Sequence, residues 1–356
     1  MKKLLTVVAV LAVVIVVAYS QRASIAARLM SKGLEARMGA DVVAEMEDGL
    51  HLALCGAGGP MPAPNASGPC VAVVAGNQLF VVDAGTDGVR NLARMGYQPG
   101  TIQGVFLTHF HSDHIDGLGE MGTIRWAGGD NATPLPVYGP TGVERVVDGF
   151  NAAYAQDFTY RHQHHGDLVA PLDAAGLQAI TFTKPPMGEL TLVYEGEGLK
   201  VEALTVDHSP VEPAVGYRFS YKGRSLLITG DTVKLANIEQ FARGVDLLVH
   251  EALAPNLVNM MHDTANKLGN KIMAKITHDI LDYHTSPVEA AETARDAGVG
   301  HLLYYHIVPP LVIPGQKALY LDGAEKIFPK YTIGEDGVSF TLPAGSDEIR
   351  LTRKGL

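Results

Sequence analysis

The sequence predicts a layered α/β domain, on three observations. Short β-prone runs alternate with helical patterns through most of the chain. Several of those runs end directly in a histidine or an aspartate. No internal repeat or low-complexity tract interrupts the order.

The first element is an apolar leader. Lys2 and Lys3 precede an uncharged run from Leu4 to Tyr19. As a helix this run spans about 24 Å, short for a full bilayer crossing. A basic start, an apolar centre and the small-residue pattern Ala18-Tyr19-Ser20 read as a secretory signal peptide or an uncleaved membrane anchor over residues 1–20. The expected location is therefore exported, periplasmic or anchored facing the periplasm. Arg22, Arg28, Lys32 and Arg37 follow the run and favour the opposite, cytoplasmic orientation. Residues 21–48 read as a linker or helix, with a weak apolar face over 22–40.

From His51 the pattern becomes strands broken by Gly and Pro. The segment His51–Leu54 runs into CGAGGP, a tight turn, and Cys70–Ala75 with Gln78–Asp83 form a hairpin over Gly76-Asn77. The run Gly104–Thr108 is a short buried strand. Further strands are expected at 135–138, 190–194, 201–206, 217–221, 225–229 and 247–250. Helices are expected near 141–156, 234–243, 255–276 and 287–297, the last opening with Thr285-Ser286-Pro287. One domain over 49–345 and a tail over 346–356 account for the remainder.

The chemistry concentrates in Thr108-His109-Phe110-His111-Ser112-Asp113-His114. On an extended backbone His109 and His111 point to one side. A turn after them would bring Asp113 and His114 to a second point nearby. Neutral imidazoles with a carboxylate and no thiolate suit a catalytic zinc site that keeps open positions. Four ligands do not complete two sites, so further donors are expected at strand ends. His208 follows the strand 201–206, Asp231 follows 225–229, and His306 follows His301–Tyr305.

The ordered motifs HFHSDH, DHSPVEPAVGYR, ITGDT, LVHEA, HTSPVEAAETA and YYHIVPP resemble the ribonuclease Z and arylsulfatase-type branch of the metallo-β-lactamase superfamily. The resemblance covers roughly residues 49–345, including CGAGGPMP near its start and GEDGVSFTLPAG near its end. It implies a four-layer αββα sandwich and a binuclear centre. His109, His111 and His208 would hold the first metal, Asp113, His114 and His306 the second, with Asp231 bridging. Two zinc ions are expected, with manganese or iron as alternatives, because affinity order alone does not select the metal. A hydroxide between the ions would be the nucleophile. Asp113, His284 and Glu251 are the expected catalytic residues. His284 would protonate the leaving group and Glu251 would orient it.

Composition narrows the substrate. The net charge of −10 argues against a general polyanion-binding surface. A ribonuclease Z acting on tRNA would usually carry a basic arm. The one candidate segment, 157–195, contains only Arg161 and Lys184 as Lys or Arg. The expected activity is therefore hydrolysis of small sulfate or phosphate esters, with a 3′-tRNA-processing endonuclease as the alternative and nucleic acid an unlikely partner. A homodimer is compatible with either. A non-catalytic metal-binding envelope protein is disfavoured, because every expected ligand and His284 are present. Cys55 and Cys70 exclude a cysteine zinc finger and read as two small, partly buried thiols. A single disulfide is the alternative in an oxidising compartment. The segment Arg161–Asp167 with its three histidines reads as a polar surface excursion. His51 and His301 read as structural, and His262 and His278 as surface or interhelix residues in helical stretches.

Overall fold

The computed structural model describes residues 2–38, 41–64 and 66–353, and the chain divides into two units between Val42 and Val43. The first unit holds α1 (Lys2–Ser20) and α2 (Arg22–Met38). Within α1 the stretch Lys3–Ser20 is long and apolar enough to cross a membrane by length and composition. Helix α2 matches the expected 22–40 pattern as far as Met38; residues 39 and 40 lie outside the described ones.

The second unit is built on two sheets. In chain order the first six strands are β1 (Gly49–Gly56), β2 (Cys70–Ala75), β3 (Gln78–Val82), β4 (Ile102–Phe106), β5 (Leu135–Pro140) and β6 (Leu177–Phe182). The next seven are β7 (Leu190–Gly196), β8 (Leu199–Thr205), β9 (Val215–Tyr221), β10 (Arg224–Ile228), β11 (Leu247–Leu253), β12 (His301–Val308) and β13 (Tyr331–Ile333). The chain then returns as β14 (Val338–Pro343) and β15 (Arg350–Arg353). The first sheet is ordered β15-β14-β1-β2-β3-β4-β5-β6 and the second β13-β12-β11-β10-β9-β8-β7. The expected tail beyond 345 thus supplies an edge strand through Arg350–Arg353, and residues 354–356 lie outside the described ones.

Side-chain parity explains the layering. Successive strand residues face opposite sides, so a strand covered on both faces must be apolar throughout. In β10, Leu226 and Ile228 enter the core between the sheets, while Leu227 faces outward. In β12, Leu303 and Tyr305 point inward, and Leu302 and Tyr304 outward. From the other sheet Leu50, Leu52, Leu54, Phe80 and Phe106 meet this core.

The outer face of the second sheet is covered by α7 (Ala236–Ala242), α10 (Pro287–Ala297), α11 (Gln316–Leu321) and α12 (Ala324–Ile327). Ala290, Ala291 and Ala294 let α10 approach closely, and a Ser286/Glu289 capping box fixes its start. The helices α3 (Gly88–Arg94), α4 (Ser112–Ile115), α5 (Leu118–Gly128) and α6 (Val143–His165) interleave with the first sheet in sequence. Two more, α8 (Pro255–Lys267) and α9 (Lys271–Asp279), form a hairpin.

Three expectations change here. The single helix expected over 255–276 is two, because Gly269 takes φ +70 after α8, a left-handed conformation that ends a helix. The helix expected over 141–156 continues to His165, so the histidine-rich excursion is the last turns of α6. Cys55 and Cys70 are not partly buried thiols: they are joined in a disulfide and both are fully buried.

Candidate metal centre

The site forms where strands of both sheets end. Strand β4 delivers Leu107, Thr108 and His109 in extended chain, and one turn of helix, α4, follows His111. That turn carries Asp113 and His114. His208 follows β8, Asp231 follows β10, and His306 lies within β12. Strands β10, β11 and β12 run parallel, so their carboxyl ends gather on one rim.

The expected ligand atoms converge. One group contains His109, His111, His208 and Asp231, and another Asp113, His114 and His306, each within 4.8 Å. Asp231 Oδ2 lies 3.9 Å from His109 Nε2, 3.8 Å from His208 Nε2, 3.5 Å from His114 Nε2 and 3.3 Å from His306 Nε2. It therefore sits between the groups, where a bridging carboxylate would be. Asp113 Oδ2 is 3.3 Å from His306 Nε2 and 3.6 Å from His114 Nε2. A third, overlapping group joins Asp231 and His306 with His284.

Several of these atoms lack any other use. His114 Nε2 and Asp231 Oδ1 are buried without a hydrogen-bond partner. Orphaned buried donors and acceptors are costly. A cation among them would satisfy several at once, so the donor set fits divalent metal. Burial drives the imidazoles of His109, His111 and His208 below their usual pKa, the neutral state a metal requires. Burial opposes ionisation of Asp231, but His306 and His114 outweigh it and hold the carboxyl well below the usual range.

The surrounding shell fixes the rings. His208 Nδ1–H donates to the Tyr283 carbonyl at 2.9 Å, which turns Nε2 to the site. His114 Nδ1–H donates to Asp83 Oδ2 at 2.8 Å. Asp83 in turn accepts from the Thr108 amide and hydroxyl, both at 2.9 Å. Asp83 thus ties the end of β3 to the His-rich segment and orients one candidate ligand, a role that raises imidazole basicity. The sequence reading took it only as a strand end. His306 depends on a local irregularity: β11 and β12 lose register between Glu251/Tyr305 and Ala252/Ile307, and His306 has φ +46. Such a bulge re-aims a side chain that strict alternation would place elsewhere.

His284 and Glu251 also meet. His284 Nδ1–H donates to Glu251 Oε1 at 2.9 Å, and the same oxygen accepts from the Thr232 and Thr285 amides. Burial works against a charge on His284, but Glu251 prevails and pushes its pKa up to about 9. The ring centroid lies 5.1 Å from that of His208 and 5.7 Å from that of His306.

The other histidines stay apart. His162 Nδ1 pairs with the Ala170 carbonyl, His51 with the Glu47 carbonyl and Thr341, and His301 with Thr332. His262 Nδ1 contacts the Ala274 carbonyl and pins α8 to α9. A cavity of about 830 Å³ opens beside Asp113, bordered by the loop from Gly58 to Gly68 and by Arg94, Asp116 and Lys317.

The profile of the beta-lactamase superfamily domain matches residues 79–307. A protein from Mycobacterium avium named ribonuclease Z is 33% identical over 289 residues, 81% of this chain and 96% of that protein. The chain belongs to the metallo-β-lactamase superfamily, in its ribonuclease Z branch. A ribonuclease Z from Mycobacterium bovis is 36% identical over 270 residues, 75% of this chain and 89% of that one.

Two solved structures share the architecture, the first described as a metallo-β-lactamase-fold protein. YhfI from Bacillus subtilis has a TM-score of 0.58 at 20% identity, covering 83% of this chain and 100% of its own. The short form of human tRNase Z has a TM-score of 0.59 at 19% identity, covering 82% and 99%. The αββα expectation therefore holds, and the chain is a metallo-β-lactamase-fold hydrolase. The names of its relatives favour the alternative, a ribonuclease Z-like activity, over a small-ester substrate, and run against nucleic acid as an unlikely partner. Net charge is a weak guide on this point because it averages over the whole surface, whereas recognition depends on the surface around one site.

Proposed function

We propose that this hydrolase is a metal-dependent phosphodiesterase of the ribonuclease Z type, with structured RNA carrying a 3′ extension as its substrate class. The observation that carries the reading is the His284–Glu251 pair set behind two donor groups with Asp231 between them. A phosphodiester needs its departing alkoxide protonated, and this arrangement supplies a positioned acid. The two relatives named ribonuclease Z support the choice of bond and of polymer.

His109, His111, His208 and Asp231 would hold one ion, and Asp113, His114, His306 and Asp231 the other. Bound there, two divalent ions would supply Lewis-acid stabilisation of the phosphate and a water acidic enough to ionise near neutral pH. Zinc suits the nitrogen-rich set. The chain's own residues do the rest. Glu251 accepts the Nδ1 proton of His284 and so leaves Nε2 as the atom that releases a proton. The Glu251 carboxylate favours the protonated form of His284, against the opposing effect of burial. As the oxygen of a water bonds to phosphorus and the P–O bond to the leaving group breaks, the Nε2 proton of His284 passes to the departing oxygen; the proton that the water loses goes to solvent, from which the neutral ring is reprotonated. The Lys3–Ser20 helix would hold the enzyme at a membrane.

A second reading, hydrolysis of small phosphate or sulfate esters, is favoured by one observation. The segment 157–195, the expected place of a basic arm, folds into the end of α6 and into β6 and β7, which pair within the two sheets. The test is a side-by-side assay of a precursor tRNA, bis-nitrophenyl phosphate and nitrophenyl sulfate. Cleavage of the tRNA and the diester, lost in His284→Ala for the tRNA, is the expected result. Sulfate turnover with intact tRNA would put the second reading in its place.

A further inference from the structure

The hairpin of α8 and α9 leaves an apolar tip in water. Its inner side is well packed: Leu257, Val258, Ala265, Ala274 and Thr277 are buried, and Asn270 caps α9 by accepting from the Met273 amide. Its outer side carries exposed apolar side chains. Leu268 and Ile272 at the turn are 76% and 75% exposed, and Met273 and Ile276 continue the stripe. Ile272 and Ile276 stand one helical turn apart, so they share a face.

Lysines border this stripe. Lys271 and Lys275 repeat at the same spacing on the adjoining face of α9, and Lys267 closes α8. Lys275 is paired with Asp279; Lys267 and Lys271, next to the exposed tip, make no ion pair among the described residues. Exposed apolar side chains rimmed by ammonium groups match one environment best, a lipid surface with anionic headgroups. There the tip side chains leave water while the lysine stems lie along the apolar layer and their charges reach phosphates. A second copy of the chain would instead bring like charges together. The same chain also carries the apolar helix Lys3–Ser20, which has the length and composition for a bilayer.

We propose that the α8–α9 tip, centred on Leu268 and Ile272 with Lys267 and Lys271, docks on an anionic lipid surface. The tip contributes no residue to the donor groups, and the proposal does not depend on the substrate.

The test uses tryptophan emission from the full chain reconstituted in vesicles of phosphatidylcholine and phosphatidylglycerol with brominated acyl chains. The single native tryptophan, Trp126, is 1% exposed and gives a low background. Ile272→Trp reports on the tip, and Leu168→Trp, at a site 96% exposed, serves as the control. The expected result is a blue-shifted emission for Ile272→Trp, with the added signal quenched at least about twofold by the brominated lipid, while Leu168→Trp stays unquenched. Adding Lys267→Glu and Lys271→Glu should relieve the quenching. Equal quenching at both sites, or none at Ile272→Trp, overturns the proposal. So does a blue shift already present in detergent and insensitive to bromine, which would mean that a second copy covers the tip.

Discussion

Asp83 shows how much of a metal site lies outside its ligands. One carboxylate holds the Thr108 amide, the Thr108 hydroxyl and the His114 ring, so a change there should act through His114. Asp83→Asn keeps the shape but weakens the imidazole as a donor. Metal affinity should fall about 10- to 100-fold, read by competition with a chromogenic chelator, with the fold intact by circular dichroism. His284 acts differently. His284→Ala should lower turnover of an alkyl phosphodiester about 10²- to 10⁴-fold, and that of a nitrophenyl diester far less, because nitrophenolate departs without a proton. Equal losses on both would place His284 elsewhere in the mechanism. The cluster His109–His114 was legible because its donors are local in sequence. Asp83 was not, since its partners lie 25 and 31 residues away and nothing in its own neighbourhood marks it. Glu251 was legible through the resemblance, and its three contacts to Thr232, His284 and Thr285 give it a physical basis.

At the scale of elements, residues 57–64 and 66–68 of the loop after β1 border the cavity, and Gly59 presses on the site. A Cβ added at Gly59 would come within 3.0 Å of His306 Cε1, so the backbone there is seated against a candidate ligand. The Cys55–Cys70 disulfide closes this loop at its base, over a separation of 15 residues. A loop of that size corresponds to about 3 kcal/mol of stabilisation. Cys55→Ser with Cys70→Ser should lose about that much in denaturant unfolding, and Gly59→Ala should reduce metal occupancy by displacing His306.

A second element-scale prediction concerns β12. Burial, helped by Lys330, lowers the pKa of His301 to about 4, below the ordinary value of 6.5. The unfolded chain therefore takes up a proton first as pH falls. The stability contributed by the neutral ring is fully present above about pH 6.5 and declines toward pH 4. His301→Gln should flatten that part of the stability profile relative to wild type. Most strands were readable from β-prone runs, and α10 from its cap. Among what escaped were β6, whose pattern is half-exposed, the strands β13 to β15, the short helices α3, α11 and α12, and the break between α8 and α9, where apolar periodicity continues through Gly269.

For the whole molecule, parity and burial account for the sandwich, and the sandwich accounts for the site. Two sheets covered on their outer faces force apolar strands, and polar residues accumulate where those strands end. The architecture was therefore legible from β-prone runs that stop at His or Asp. Substrate was less so: composition favoured small esters, whereas the relatives point to RNA. Two groups of donors with Asp231 between them predict a centre that works only when both are filled. The most direct measurement is a zinc titration of the metal-stripped enzyme, following phosphodiester turnover and bound metal together. Turnover should rise to a plateau at about two ions per chain, and Asp231→Ala should abolish it. A plateau at about one ion, or turnover that persists without metal, would contradict the binuclear account.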